Sequence, residues 1–498
     1  MSYVSPRAGS AALALIAVSA GLGACACLLG PSAAVPETGG WSLGARPGYP
    51  AVVWLTFLMA GTGLAGILTG LAAARAGWRP SGRSLLLGGL GLALLLAVVP
   101  VGGSTDVLSY ALYGRIGRLG HDPYQFTVQR LIDAGDPVAA YAPQSWRNVP
   151  SVYGPIANWM FAGAAAVGGA SMASITVLLK LMSFGAFAAV AVLLDRLAAD
   201  RVRAHLLWTL NPLMLWVCVA GAHADVFGAA LLVAAFAVFR LPWPAWATGL
   251  ATGALVGAAG GTKAPFLLAG FGFAWAARRS LPLLCGLLGG ALVTGLGSYL
   301  AAGWESVEAV LNRSEQTAPT NPWRYLPGWG IDLSGPQMAR LGFAAAALIA
   351  VLMLWRLTLA ATPVESAARV AFAVCAPVLM ASPVQHAWYD VLIFPLLVLM
   401  PVPTRLDGLM QTRLAVGLCG YLPGVPLPGP DLWPDQVRFI RFTVNNWWVS
   451  AGLGIIAIIV VAVVVKGSSF EARSRTGRLT PDDPAGVGLS PVGGAGGP

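Results

Sequence analysis

Charge is what this sequence has least of. Asp, Glu, Lys and Arg make up 10% of its 498 residues, where an ordinary soluble domain carries about 25%. So small a polar complement cannot clothe a water-exposed globule of this length, which excludes a soluble enzyme or carrier. Cysteine is scarce too. The six residues Cys25, Cys27, Cys218, Cys285, Cys375 and Cys419 all lie inside apolar runs. None stands in a loop where an oxidising compartment would pair it, and none has metal-ligand spacing, so they read as small hydrophobes. Histidine occurs four times. Internal repeats and a soluble domain are both absent. The net charge of +10 is spread over many short loops, which speaks against nucleic-acid binding, where basic residues gather in a patch.

What is present is apolar. Hydrophobic residues make up 57% of the chain and the mean hydropathy is +0.72. Segments of membrane-spanning length recur along nearly all of it, so the expected class is an all-α polytopic membrane protein. Spans are expected at roughly 10–30, 50–73, 84–102, 172–195, 204–221, 225–240, 245–260, 264–277, 282–302, 339–360, 370–384, 389–402, 411–427 and 447–466, a count of about 14 (12 to 15). The first of them has no basic n-region beyond Arg7 and is read as a retained helix rather than a signal peptide. The membrane domain is placed at 1–466. The Gly/Pro/Ser-rich segment 467–498 is read as a disordered cytoplasmic tail.

With the N-terminus inside, Arg75, Arg79, Arg83, Arg196, Arg201, Arg203, Arg240, Arg278 and Arg279 fall on the cytoplasmic side. Arg356, Arg369, Arg405, Arg413 and Lys466 follow them, as the positive-inside rule requires. A span at 155–168, "PIANWMFAGAAAVG", would throw Arg196, Arg201 and Arg203 outside, so that stretch is read as a short helix at the outer surface. Lys180 is the main ionisable residue left inside a span.

This arrangement gathers the unusual polar residues on the outer face. The first large external loop, about 103–171, holds Asp106, Tyr110, Tyr113, Arg115, Arg118, His121, Asp122, Tyr124, Arg147 and "SVYGP" at 151–155. The turn "AGAHADVFG" adds His223 and Asp225, and "GGTKAPF" adds Lys263. A second long loop, about 303–337, carries Arg324 between aromatics, and "SPVQHAWYD" carries His386, Trp388, Tyr389 and Asp390. After Asp106, the stripe Leu108, Leu112, Ile116 and Leu119 predicts an amphipathic helix lying in the interface plane. Thr105 is placed to cap that helix, and Asp106 in its first turn complements the helix dipole. The other role open to Asp106 is a general base for a hydroxyl acceptor. His223 and Asp225 are either a polar loop pair or part of a site. Lys263 either snorkels or binds phosphate. Arg324 and Arg147 either hold a phosphate or anchor their loops.

Five blocks in order carry a resemblance: "STDVLSYALYGRIGRLGHDPY", "VYGP", "LWTLNPLMLWVCVAGAHADVFGAALL", "GTKAPFLLA" and "PVQHAWYDVLIFPLL". Together, over about 100 to 400, the chain resembles the actinobacterial polyprenyl-phosphomannose-dependent α-1,6-mannosyltransferases of lipomannan assembly, within the C-type (GT-C) glycosyltransferase superfamily. It departs from the pattern at His223-Ala224-Asp225, where His-Asn-Asp is usual, and at Ala387-Trp388-Tyr389, where Pro-Trp-Tyr is usual. The resemblance implies transfer of mannose, with inversion, from a polyprenyl-phosphate donor to a glycan or glycolipid hydroxyl. The implied location is the extracytoplasmic face of the plasma membrane, with both termini cytoplasmic.

An acid early in the first large external loop is then the base, a place Asp106 holds. Lys263, His223, Asp225, Arg324, His386 and Tyr389 become donor phosphate or sugar ligands, and Tyr110, Tyr153 and Trp388 become stacking surfaces. The leaving group is already a stable anion, so cationic groups suffice; no cofactor is required, and a divalent metal is compatible but not implied. An arabinofuranosyltransferase using polyprenyl-phosphoarabinose remains open beside it. A transporter or flippase of lipid-linked sugars is the rival from another class, and it would place its polar residues near the midplane.

Overall fold

The computed structural model describes residues 4–314, 318, 320–356, 362–400, 404–424 and 447–476. Regular structure among the described residues is entirely helical. The first seven helices are α1 (Val4–Leu29), α2 (Tyr49–Arg75), α3 (Gly82–Val98), α4 (Asp106–Arg118), α5 (Val128–Asp133), α6 (Pro155–Gly168) and α7 (Met172–Leu197). A broken helix follows, with α8 (Arg201–Ala204) and α9 (Pro212–Leu215) as its regular parts. Next come α10 (Asp225–Phe239), α11 (Ala245–Thr262), α12 (Gly270–Ala277), α13 (Leu281–Ala291), α14 (Gly297–Ala302) and α15 (Trp304–Ser314). The series ends with α16 (Gly335–Arg356), α17 (Pro363–Ala381), α18 (Asp390–Leu399), α19 (Thr404–Cys419) and α20 (Val449–Thr476).

Each apolar segment read from the sequence therefore holds a helix. Six are long and apolar enough to cross a bilayer unaided: Arg7–Leu29, Tyr49–Arg75, Met172–Leu197, Leu281–Ala302, Gly335–Arg356 and Pro363–Ala381. The pair Arg201–Thr209 and Pro212–Ala220, bent by 40°, makes a seventh if it is one span. The bend sits at Asn211-Pro212, because the proline ring removes a donor and clashes with the preceding turn. Asn211 caps the second half and exchanges amide hydrogen bonds with Gln411 of α19, at 2.8 and 3.2 Å. Leu288, Leu292, Val293, Leu296 and Leu300 turn outward and exposed, an apolar face that suits lipid and not water.

Glycine explains how the weakly apolar α11 stays inside the bundle. A Cβ on Gly253 would stand 2.0 Å from the Leu287 carbonyl oxygen, and one on Gly290 would stand 2.1 Å from that of Leu250. The two backbones touch directly, as small residues allow between membrane helices.

Three expectations need correcting. The α4 helix forms where the stripe predicts, but it is buried on all sides from Asp106 to Gly114 rather than floating in an interface. Its polar side is covered because Gly114 lies against the Phe161 backbone of α6, while the Tyr113 hydroxyl donates to Val149 O at 3.0 Å. Thr105 makes no side-chain cap. Ser104 does that work, its Oγ accepting from Asp106 N at 3.0 Å. Arg413, assigned to the cytoplasmic side, and Asp390, assigned to the outer face, are brought together: Arg413 lies buried inside α19 and its guanidinium pairs with the Asp390 carboxylate. A charge pattern assigns a side by proximity to an apolar run and cannot see a partner folded back from another helix. The short helix expected at 155–168 is present as α6. Helix α20 continues past Lys466 to Thr476, and the remainder of the tail, 477–498, lies outside the described residues.

Candidate active site

Four chain segments far apart in sequence build one site. The first is the ledge 99–105 between α3 and α4. Gly103 has φ +90, and a Cβ there would stand 2.6 Å from Trp216 Nε1. Its N–H donates to Ala34 O at 2.7 Å, and that of Gly102 donates to Ala220 O at 3.1 Å. The ledge delivers Asp106, buried at 4% exposure, to the first turn of α4.

The second segment is the turn from the broken helix into α10. Ala222 has φ 50, a left-handed conformation that a residue with a Cβ rarely adopts and that functional sites often retain. The strained turn aims His223 at Asp106, with Nδ1 3.5 Å from Asp106 Oδ2. Burial, and after it the Lys263 ammonium, push the imidazole down to about 3. The ring is therefore neutral at physiological pH.

Third is the end of α11. Lys263 follows the helix, and its Nζ donates to Asp225 Oδ1 at 2.7 Å while lying 3.7 Å above the Tyr389 ring. The "VYGP" block is docked here: Gly154 N donates to Thr262 O at 3.1 Å, and a Cβ on Gly154 would stand 2.2 Å from Gly261 O. Gly154→Val is thus expected to push the loop off α11. Because small-to-large changes of this kind cost about 1–3 kcal/mol, the variant should melt several degrees lower; an unchanged melting curve would show that the loop yields freely.

The fourth segment is the turn into α18. The Trp388 ring is sandwiched between two imidazoles, His223 at 4.1 Å and His386 at 4.5 Å, with interplanar angles of 15° and 1°. Tyr421 meets its edge at 4.6 Å.

These segments border a cavity of about 70 Å³ lined by Asp106, Trp146, Val152, Tyr153, Lys263, His386, Trp388, Tyr389 and Tyr421. An acid, a cation and half-exposed aromatic and imidazole rings thus share one space. Asp106, His223, Asp225, Lys263, His386, Trp388, Tyr389, Tyr110 and Tyr153 all come together around this space. Two stacking assignments do not fit the packing. Both faces of Trp388 are taken by imidazoles, leaving none for a sugar ring. Tyr110, 1% exposed, stacks on Phe161 at 4.8 Å and meets Tyr153 edge-on at 4.9 Å. The Arg324 side chain lies outside the described residues. Its loop is pinned by Trp323 Nε1 donating to Ala381 O at 2.6 Å, close to the turn that bears His386.

Trp146 and Tyr421 were missed: Trp146 stands beside Arg147 and Tyr421 beside no charged residue, and only folding brings either to the cavity. Arg115 pairs with Asp136 at 2.9 Å, and His121 stacks on Phe126 at 4.2 Å; both tie the external loop to itself. Among the described residues, no three His, Cys, Asp or Glu side chains cluster as metal ligands.

Residues 7–279 match the model of a family described as alpha-(1->6)-mannopyranosyltransferase, N-terminal domain. An alpha-(1->6)-mannopyranosyltransferase of Mycobacterium tuberculosis is 28% identical over 144 residues, covering 28% of this chain and 24% of that protein. A probable alpha-(1->6)-mannopyranosyltransferase of Mycolicibacterium smegmatis is 29% identical over 143 residues, covering 28% of this chain and 26% of that protein. The matched stretch spans about a quarter of the length of these relatives. No solved structure matches significantly.

Proposed function

As this chain belongs to the alpha-(1->6)-mannopyranosyltransferase family, we propose that it transfers mannose from polyprenyl-phosphomannose to a hydroxyl of an α-1,6-mannan acceptor. The reaction belongs to the extracytoplasmic face of the plasma membrane, in a GT-C fold of about 14 spans. The observation that carries this reading is that Asp106 and Lys263 line the same cavity.

In the step proposed, the acceptor oxygen attacks the anomeric carbon of the donor from the side opposite the phosphate. The new C–O bond forms as the bond to the phosphate oxygen breaks, and the configuration inverts. The acceptor proton passes to the Asp106 carboxylate. The lipid phosphate leaves as an anion beside the Lys263 ammonium, which Asp225 and the Tyr389 ring hold ready before the donor arrives. Neutral His223 fills the wall behind Asp106 and keeps Trp388 in place. Half-exposed His386 and Tyr389 are the rings left to meet the donor sugar. Residues of these types need no metal to perform the step.

Purified, detergent-solubilised protein given polyprenyl-phosphomannose and a short α-linked mannose acceptor should yield an extended product and free polyprenyl phosphate. Transfer from polyprenyl-phosphoarabinose alone would replace the donor assignment, and transfer from neither would overturn the reading.

A further inference from the structure

We infer that Lys180, inside the membrane-spanning α7, is a positioning residue for Asp106 and acts through the backbone that carries it. This inference rests on the transfer reading above. Lys180 is 2% exposed, and its Nζ donates to the carbonyls of Val99 and Pro100 at 2.5 and 3.2 Å. No carboxylate among the described residues pairs with it. An amine buried in an apolar helix without an acid is a costly choice for a fold, and such residues within spans mark function by default. The two carbonyls it holds stand where α3 ends and the ledge to Asp106 begins.

Among the described residues, the other hydrogen bonds on that ledge are local or backbone. Gly102 donates to Ala220 O, Gly103 donates to Ala34 O, and Ser104 Oγ accepts from Asp106 N. Cys27 and Trp216 pack against Gly102 and Gly103, while Lys180 reaches the ledge from a neighbouring span with hydrogen bonds and takes up carbonyls that the end of a helix leaves orphaned. The bundle would be served more cheaply by an apolar residue at 180. A lysine there serves the placement of the acid, since a shift of about 1 Å in a reacting group costs up to about a hundredfold in rate.

The test is Lys180→Met, close in length and shape but without donors, with Lys180→Gln keeping a donor should the first not fold. Lys180→Met is expected to lower kcat about tenfold to hundredfold. KM for the donor should change less than about threefold, and the thermal midpoint should fall only modestly, because Met leaves the Val99 and Pro100 carbonyls without their donor. In hydrogen exchange, peptides covering 99–106 should exchange faster, while those of α7 stay protected. Lys180→Gln should recover part of the kcat. A lower thermal midpoint with kcat unchanged would make Lys180 a structural anchor and overturn the inference. So would unchanged exchange across 99–106, and that result is readable even if the wild type rejects the mannose donor.

Discussion

Asp106→Asn is expected to cut mannosyl transfer by about 10²- to 10⁴-fold, the span a positioned general base supplies, while the melting temperature stays where it was. The second half follows from the cap geometry. Helix α4 is started by Ser104 Oγ accepting from the residue 106 N–H, a bond that asparagine keeps. The substitution is isosteric in a buried position, so little but the carboxylate is lost. Donor binding should persist, since the phosphate ligand is Lys263. The pH–rate profile of the wild type should carry no limb near the ordinary histidine value from His223, which is held at about 3. Should the variant keep more than about a tenth of its activity, Asp106 is only the acid of a helix terminus. The alternatives are then few. Asp225 is committed to Lys263 at 2.7 Å, and Asp122 closes its own turn by accepting from Tyr124 N at 2.9 Å.

Lys263→Met is expected to fail in two separable ways. It strands Asp225, whose side chain is 3% exposed, without its cation. Breaking a buried pair from one side costs about 3–5 kcal/mol. It also removes the charge set beside the leaving phosphate, for which a loss of about 10²- to 10³-fold in kcat is expected, as for one preorganised donor at a developing anion. The double variant Lys263→Met, Asp225→Asn separates the two, because the stranded charge is gone and the melting temperature should return toward wild type while activity does not. A double variant that regains transfer would show that Lys263 is there to neutralise Asp225 and nothing more. The Tyr389 ring under the ammonium at 3.7 Å adds a control: Tyr389→Leu should weaken donor binding more than it lowers the melting temperature.

Much of this was legible without coordinates, and the reasons differ by residue. Helices at the apolar runs follow because only helices and closed barrels satisfy the backbone in lipid, and barrel strands alternate where these runs are continuous. The gathering of Asp106, His223, Lys263 and His386 follows from counting spans and noting that polar groups cluster where helices end. Proximity and partnership are different matters. That Lys263 is tied to Asp225, that His223 and His386 clasp Trp388, and that Arg413 reaches Asp390 all depend on which helix neighbours which. Ridge-and-groove contacts decide this among many bundles with the same hydropathy profile. Trp388 illustrates the limit: an aromatic in a polar turn suggests a sugar platform, and only the packing reveals two imidazoles already covering its faces.

By itself, the sequence determined that the chain is a membrane bundle, where its helices lie, and that its acids, histidines and one lysine collect at helix ends. Scarce charge and long apolar runs leave little else possible. The tertiary structure decided which of those groups share the cavity, which are spent on one another, and that a lysine inside a span grips the ledge of the candidate base. Such facts turn on close contacts between segments well separated in sequence, and no local pattern of side chains encodes a distance.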